Sequence, residues 1–247
     1  MSSEVRDPLV EGVFYPSNKE KCTQLFRRHP SDAPAHDAPD DHGSTNSSLE
    51  GLSGNTAMTP EEIAALLLPH AAYEFILPYL MDGFGLVAHR RPAPRRIIAV
   101  GGVHREKRSG VFLPPHTAFR STAGELSLDG EMRARIVAEV DGAEIDETPF
   151  GEEHVLDTLL PPLSIYFPES DLLPVLTGDE SRATVRALIE LFEMAEEEDT
   201  LTLISANLCA ETDAENLETR SDAFLSALTA DGARLDDRRE NAGDSAS

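Results

Sequence analysis

Apolar and polar positions along this chain form short runs that alternate in kind. The runs "ALLLP" at 65–69, "RIIAV" at 96–100, "GVFLP" at 110–114, "LLPVLTG" at 172–178 and "LTLISANL" at 201–208 have the length and bias of buried β-strands. Between several of them, apolar positions recur at helical spacing over 74–89, 129–141, 152–166, 181–198 and 218–229. In the stretch 152–166 the stripe consists of Val155, Leu156, Leu159, Leu160 and Leu163, which predicts a helix with one face in the core. Glu153 and His154 then fall at the start of that helix, where acidic residues suit the helix dipole. Strands alternating with helices imply an α/β fold, with a mainly parallel central sheet flanked by helices.

The ends and one internal stretch break the pattern. The N-terminal piece, "VRDPLVEGVFYPSNKEKCTQLFRR", predicts an extended segment and then a short helix capped near Ser17 or Asn18, with Cys22 on its apolar face. Residues 29–55 are rich in Pro, Gly, Ser, Asp and Asn and nearly free of large apolar residues. Such a stretch buries too little surface to offset ordering, so it is expected to be a disordered loop, with His36 and His42 solvated in it. The acidic tail from 231 to 247 is expected to be disordered for the same reason. This leaves a single domain over residues 1–230.

Composition narrows the partners. Of 247 residues, 40% are apolar, as in a soluble globular protein, and the formal net charge is −24. That charge argues against nucleic acid and anionic membrane as partners, because both require a basic surface. Two cysteines make no disulfide framework, and the opening "MSSEVRDPLVEG" lacks a basic region followed by an apolar run. The expected location is therefore cytoplasmic. No apolar run approaches the roughly 20 residues of a membrane span.

The candidate chemistry lies where the strands stop. "ALLLPHAAY" ends an apolar run with Pro69 and His70, "RRIIAVGGVHREKRSG" ends one with a Gly-Gly turn and His104, and Cys209 follows "LISANL". In open α/β sheets ligands bind outside the carboxyl ends of the strands, so these three side chains could share one crevice. On the residues alone each also has a bland reading. Both histidines could be buried and hydrogen-bonded, Cys209 could be a small core residue, His154 a structural histidine, and His116 in "PPHTAF" a loop-lining residue.

Taken together and in order, these segments resemble the Memo-like family, also called AmmeMemoRadiSam system protein B. "VRDPLVEGVFYPSN" resembles the family's Val-Arg-x-Pro-x-Val-x-Gly-x-Phe-Tyr-Pro opening. "LLLPHAAY" resembles its Pro-His-Ala-Gly-Tyr segment, with Ala72 in place of Gly, and "AVGGVHREKRSGVFLPPHTAFRSTAGELSLD" its Gly-Pro-Ser-His region. "DETPFGEEHVLDTLLPPL" resembles its Glu-His-Ser-Leu-Glu-x-x-Leu-Pro-Phe-Leu helix, and "LLPVLTG" its Ile-Pro-Val-Leu-Val-Gly strand.

The resemblance implies a fold like that of the class III extradiol dioxygenases. It implies a metal site in which His70 and His104 are paired imidazoles and Cys209 is the third ligand, and it gives His154 the role of acid/base. Two neutral imidazoles and a thiolate suit a divalent ion such as zinc or iron, or copper. The partners it implies are a radical-SAM protein, an AmmeMemo protein and an unidentified small molecule. Several positions depart from the family's pattern. Asn207 stands for Asp, Ala210 for His, Phe150 for a further histidine, Val155 for Ser and Asp157 for Glu. Read as erosion of the site's surroundings, these departures favour a non-catalytic or accessory binding protein that keeps a dioxygenase-like crevice. The alternative is a metal-dependent redox or dioxygenase-like enzyme with a His-His-Cys site.

Overall fold

The computed structural model describes residues 4–27, 63–105, 108–195, 199–207, 216, 219–223 and 226. The expected loop 29–55, the tail 231–247, Ala210 and Cys209 lie outside these residues, as does half of the helix expected over 218–229.

Six strands form the central sheet: β2 (Ala65–Leu68), β3 (Arg96–Gly102), β4 (Val111–Leu113), β7 (Ala143–Ile145), β8 (Asp171–Thr177) and β9 (Thr200–Ser205). Their order across the sheet is β2-β9-β3-β8-β4-β7. All neighbours are parallel except β4 and β8, which run antiparallel. The expectation of a mainly parallel sheet flanked by helices therefore holds. A second sheet of very short strands, β1 (Val5–Arg6), β5 (Ala118–Arg120) and β6 (Glu125–Ser127), lies beside it in the order β1-β5-β6. Strands of two or three residues are too short to show an alternation, which is why the apolar pattern did not announce them.

The helices are α1 (Lys19–Arg27), α2 (Tyr73–Arg90), α3 (Gly130–Glu139), α4 (Thr148–Glu152), α5 (Leu160–Tyr166) and α6 (Arg182–Ala195). Asn18 caps α1, its Oδ1 accepting the Lys21 amide at 2.9 Å. Side chains alternate across each strand, so β3 sends Ile97 and Ala99 into one core and Ile98 and Val100 into another. The first core lies under α2 and α5 and includes Cys22; the second lies under α3 and α6. β3 is buried along its whole length, as a central parallel strand covered on both faces should be.

One expected helix is not continuous. Residues 152–166 divide into the end of α4, an irregular turn from Glu153 to Leu159, and α5. Pro161 and Pro162 lack amide protons and clash with a preceding helical turn, so they are tolerated only at the start of α5. The predicted stripe still reaches the core, with Val155, Leu156, Leu159, Leu160 and Leu163 all buried. Val155 sits so close to β3 that a Cβ on Gly101 would meet its Cγ2 at 2.4 Å, so the glycine lets this turn lie directly on the sheet.

Candidate functional site

The strand order assembles the site. β9 lies between β2 and β3, and Leu68 of β2 is in register with Ser205 of β9. The residues just beyond the carboxyl ends of β2 and β3 therefore face each other across the end of β9. There the ring centroids of His70 and His104 are 5.6 Å apart. His154, from the turn between α4 and α5, brings its ring to 6.4 Å from that of His70. Three of the four residues singled out in the sequence thus converge, and Cys209 lies outside the described residues. Among the described residues, no group of three or more His, Cys, Asp and Glu side chains is arranged to hold a metal ion.

His70 is buried, and hydrogen bonds fix its ring. Its Nδ1 is 3.0 Å from Ser205 Oγ, and that hydroxyl donates its proton to the Val155 carbonyl. A hydroxyl has one proton, so toward His70 it accepts, and Nδ1 carries the hydrogen. The lone pair of the neutral ring then sits on Nε2. Burial pulls the His70 pKa down to about 4, helped by the neighbouring His104 and His154 and opposed by Glu153. The ring is neutral at physiological pH. Its backbone amide donates to Asn207 Oδ1 at 3.2 Å. Asn207 therefore anchors the His70 loop, a task that needs only a side-chain oxygen.

His104 is held differently. Its side chain is 44% exposed, and its Nδ1 lies 3.2 Å from Glu153 Oε2, whose side chain is only 3% exposed. Glu153 Oε1 accepts the His104 amide at 2.8 Å and the Arg105 amide at 3.0 Å. The carboxylate thus grips the backbone of the His104 turn and orients the ring. It accepts a hydrogen bond from Nδ1–H and, in the neutral ring, leaves Nε2 as the acceptor nitrogen. The sequence pattern had assigned Glu153 to a helix dipole. That assignment is overturned, because α4 ends at Glu152 and Glu153 leaves it in extended conformation.

Glu153 is in turn positioned by Arg6. The buried guanidinium donates from Nε to the Phe150 carbonyl at 2.7 Å, from Nη2 to the Glu153 carbonyl at 3.1 Å and from Nη1 to Asp157 Oδ1 at 2.7 Å. It also lies over the Phe119 ring, 4.9 Å from the centroid. Asp157 is fully buried, and its second oxygen accepts the Leu9 amide at 2.5 Å. The opening "VRDP" motif is therefore the clamp on the loop that carries Glu153 and His154. Asp157 and Asn207, read from the sequence as eroded positions, are both engaged in holding the site. Phe150 is a core residue, its ring packed at 6.0 Å on Phe119. Phe14 packs edge-on against His154 at 5.0 Å.

His116 lies in the loop between β4 and β5, buried against Phe119 at 5.9 Å, and its Nδ1 has no hydrogen-bond partner among the described residues.

Three comparisons bear on identity. The model of one family, described as Memo-like protein, matches residues 6–232. A "MEMO1 family protein" of Methanopyrus kandleri is 26% identical over 207 residues, covering 82% of this chain and 67% of the relative. One from Aquifex aeolicus is 26% identical over 226 residues, covering 91% and 74%. One from Pyrobaculum arsenaticum is 24% identical over 184 residues, covering 74% of this chain and 60% of the relative. The chain thus spans between about three fifths and three quarters of these relatives. Among solved structures, an uncharacterized protein from Escherichia coli K12 aligns with a TM-score of 0.39 and 15% identity, over 61% of this chain and 66% of that one. A likeness that slight carries no weight here.

Proposed function

This chain belongs to the Memo-like protein family, and from that premise we propose that it is a binding protein that holds a metal ion in the crevice at the carboxyl ends of β2 and β3. His70 and His104 supply Nε2 ligands, and Cys209 supplies a thiolate. The observation that carries this reading is the pair of imidazoles at 5.6 Å, each with Nδ1 already engaged. Two rings that share an ion through metal–nitrogen bonds of about 2.0–2.1 Å have centroids roughly 5–6 Å apart, so the spacing fits. The neutrality of His70 fits as well, because only the neutral ring is a ligand. A thiolate with two imidazoles suits zinc or copper better than a hard ion.

When bound, the ion would supply Lewis acidity or, for copper, electron transfer. The chain's own residues fix the ring tautomers and orient the rings. On this reading the protein works as an accessory component beside a radical-SAM protein and an AmmeMemo protein. A second reading, a metal-dependent redox or dioxygenase-like enzyme, draws on the placement of His154. Its ring stands 6.4 Å from His70, within reach of a small molecule held in the same crevice, where it could take or give a proton.

Calorimetric titration of zinc or copper(I) into metal-free protein at two pH values tests the site. Affinity should fall at the lower pH, where protons compete for the ligands. It should fall sharply in His70→Ala and Cys209→Ser, while His154→Ala leaves it nearly intact. Wild-type binding no tighter than that of His70→Ala and Cys209→Ser would end the metal reading. Oxygen uptake by the metal-loaded protein with a panel of small phenols separates the two readings. Uptake that disappears in His154→Ala would make the protein an enzyme.

A further inference from the structure

The outer face of α2 keeps large apolar side chains in water. Phe75 is 68% exposed, Tyr79 62% and Leu86 42%, while Ile76, Leu80, Phe84 and Val87 on the inner face are buried in the core. At 3.6 residues per turn, Phe75, Tyr79, Asp82 and Leu86 fall on one narrow stripe. The order along this stripe is self-complementary. When two α2 helices run antiparallel about a two-fold axis between positions 80 and 81, Phe75 lies opposite the second copy's Leu86. Tyr79 lies opposite the second copy's Asp82, where its hydroxyl can donate to the carboxylate. The same arrangement sets the acidic start of α2, with Glu74, beside the basic end of the other helix, with His89 and Arg90. Charges and helix dipoles are then complementary at both ends of the contact.

We propose that this face is a self-association surface, on which a second copy of the chain docks α2 against α2. A two-fold contact needs the same patch to match itself, and this stripe does. Its size sets the strength. From residue 75 to 86 it is about 16 Å long at 1.5 Å per residue, which covers less than the roughly 800 Å² per partner of a standard stable interface. The dimer is therefore weak and concentration-dependent. Each copy also carries a formal net charge of −24, which opposes association and is screened by salt. The repulsion between two chains of this net charge outweighs the few attractive charges at the helix ends, so association strengthens as salt rises.

Sedimentation velocity of the full chain over a concentration series, at low and moderate salt, tests this. The dimer fraction should rise with concentration and with salt, and Phe75→Arg with Tyr79→Arg should weaken association at least about tenfold. Both positions are exposed, and circular dichroism checks that the variant folds. A mixture of Tyr79→Cys and Asp82→Cys proteins should form disulfide-linked pairs between the two variants more readily than either variant forms with itself. A wild type that stays a single chain throughout would overturn the proposal, as would a double arginine variant that dimerises undiminished. So would cross-linking with no preference for the mixed pair.

Discussion

His70 and His104 occupy equivalent places, each just past the carboxyl end of a parallel strand beside β9, yet the protein holds them by opposite means. His70 is buried, and its Nδ1 meets the neutral hydroxyl of Ser205. His104 is nearly half exposed, and its Nδ1 meets the carboxylate of Glu153. A carboxylate beside the buried ring would itself be buried without compensation, at a cost of several kcal/mol. At His104 the carboxylate is compensated by two backbone amides on the very turn it orients. One histidine is thus set by burial and the other by charge. The two should fail under different perturbations.

The largest effect is expected from Arg6→Met. It breaks a buried pair and leaves the Asp157 carboxylate inside the protein without its cation. Removing one partner of such a pair costs about 3–5 kcal/mol, which urea denaturation would measure. The loop that carries Glu153 loses its clamp, so the His104 ring signals in NMR should shift while the Nδ1–H tautomer of His70 persists. Equal disturbance of both rings would mean that the two are not held independently.

Lowering the pH acts on the other histidine. The folded His70 titrates near 4, against an ordinary value of 6.5. Between those values the unfolded chain binds a proton that the folded chain refuses, so the residue costs no stability above pH 6.5. The cost grows as pH falls and is complete below about 4, where it amounts to roughly 3 kcal/mol. Metal-free wild type should therefore lose more stability from pH 7 to pH 4.5 than His70→Gln does. Equal losses would show that burial does not hold this ring neutral.

How much of this the chain announced depends on sequence distance. Each histidine follows its own apolar run, so the local pattern marked both, and the strand order then brought them together. The Val155–Leu163 stripe was legible too, although Pro161 and Pro162 cut the expected helix in two. The partners were not legible. Glu153 reaches His104 across 49 positions, Arg6 reaches Asp157 across 151, and Ser205 reaches His70 across 135. No local periodicity encodes such pairings. Asp157 and Asn207 looked like losses because only their identities were visible, not the amides they accept.

If His104 ligates an ion as proposed, Glu153→Gln should weaken metal affinity by about 10–100-fold, the usual effect of losing a group that orients a ligand. The amide oxygen can still accept the two backbone N–H groups, so the turn stays folded. The NH₂ now faces His104 Nδ1 as a donor, which favours the tautomer with its proton on Nε2, the atom proposed to bind the ion. Calorimetry would read the lost affinity, and ¹⁵N NMR of the ring the tautomer. Unchanged affinity would make Glu153 a backbone clamp with no role at the ring.

The smallest expected effect on stability belongs to Ser205→Ala. The hydroxyl accepts from His70 Nδ1 and donates to the Val155 carbonyl, so its loss strands a donor and an acceptor in the interior. The net worth of such bonds is about 1 kcal/mol each, and the space left by one oxygen lets the ring and the turn adjust, so a loss of about 1–2 kcal/mol is expected in urea denaturation. The spectroscopic consequence is sharper than the energetic one. Without an acceptor at Nδ1 the neutral ring has no reason to keep its proton there, and the populations of the two tautomers should approach each other. His104, held by its carboxylate, should keep its own. ¹⁵N shifts of both rings at pH 7 decide the matter. If His70 retains a single Nδ1–H tautomer in Ser205→Ala, a group other than Ser205 sets its lone pair, and the contrast between a hydroxyl-held and a carboxylate-held histidine falls.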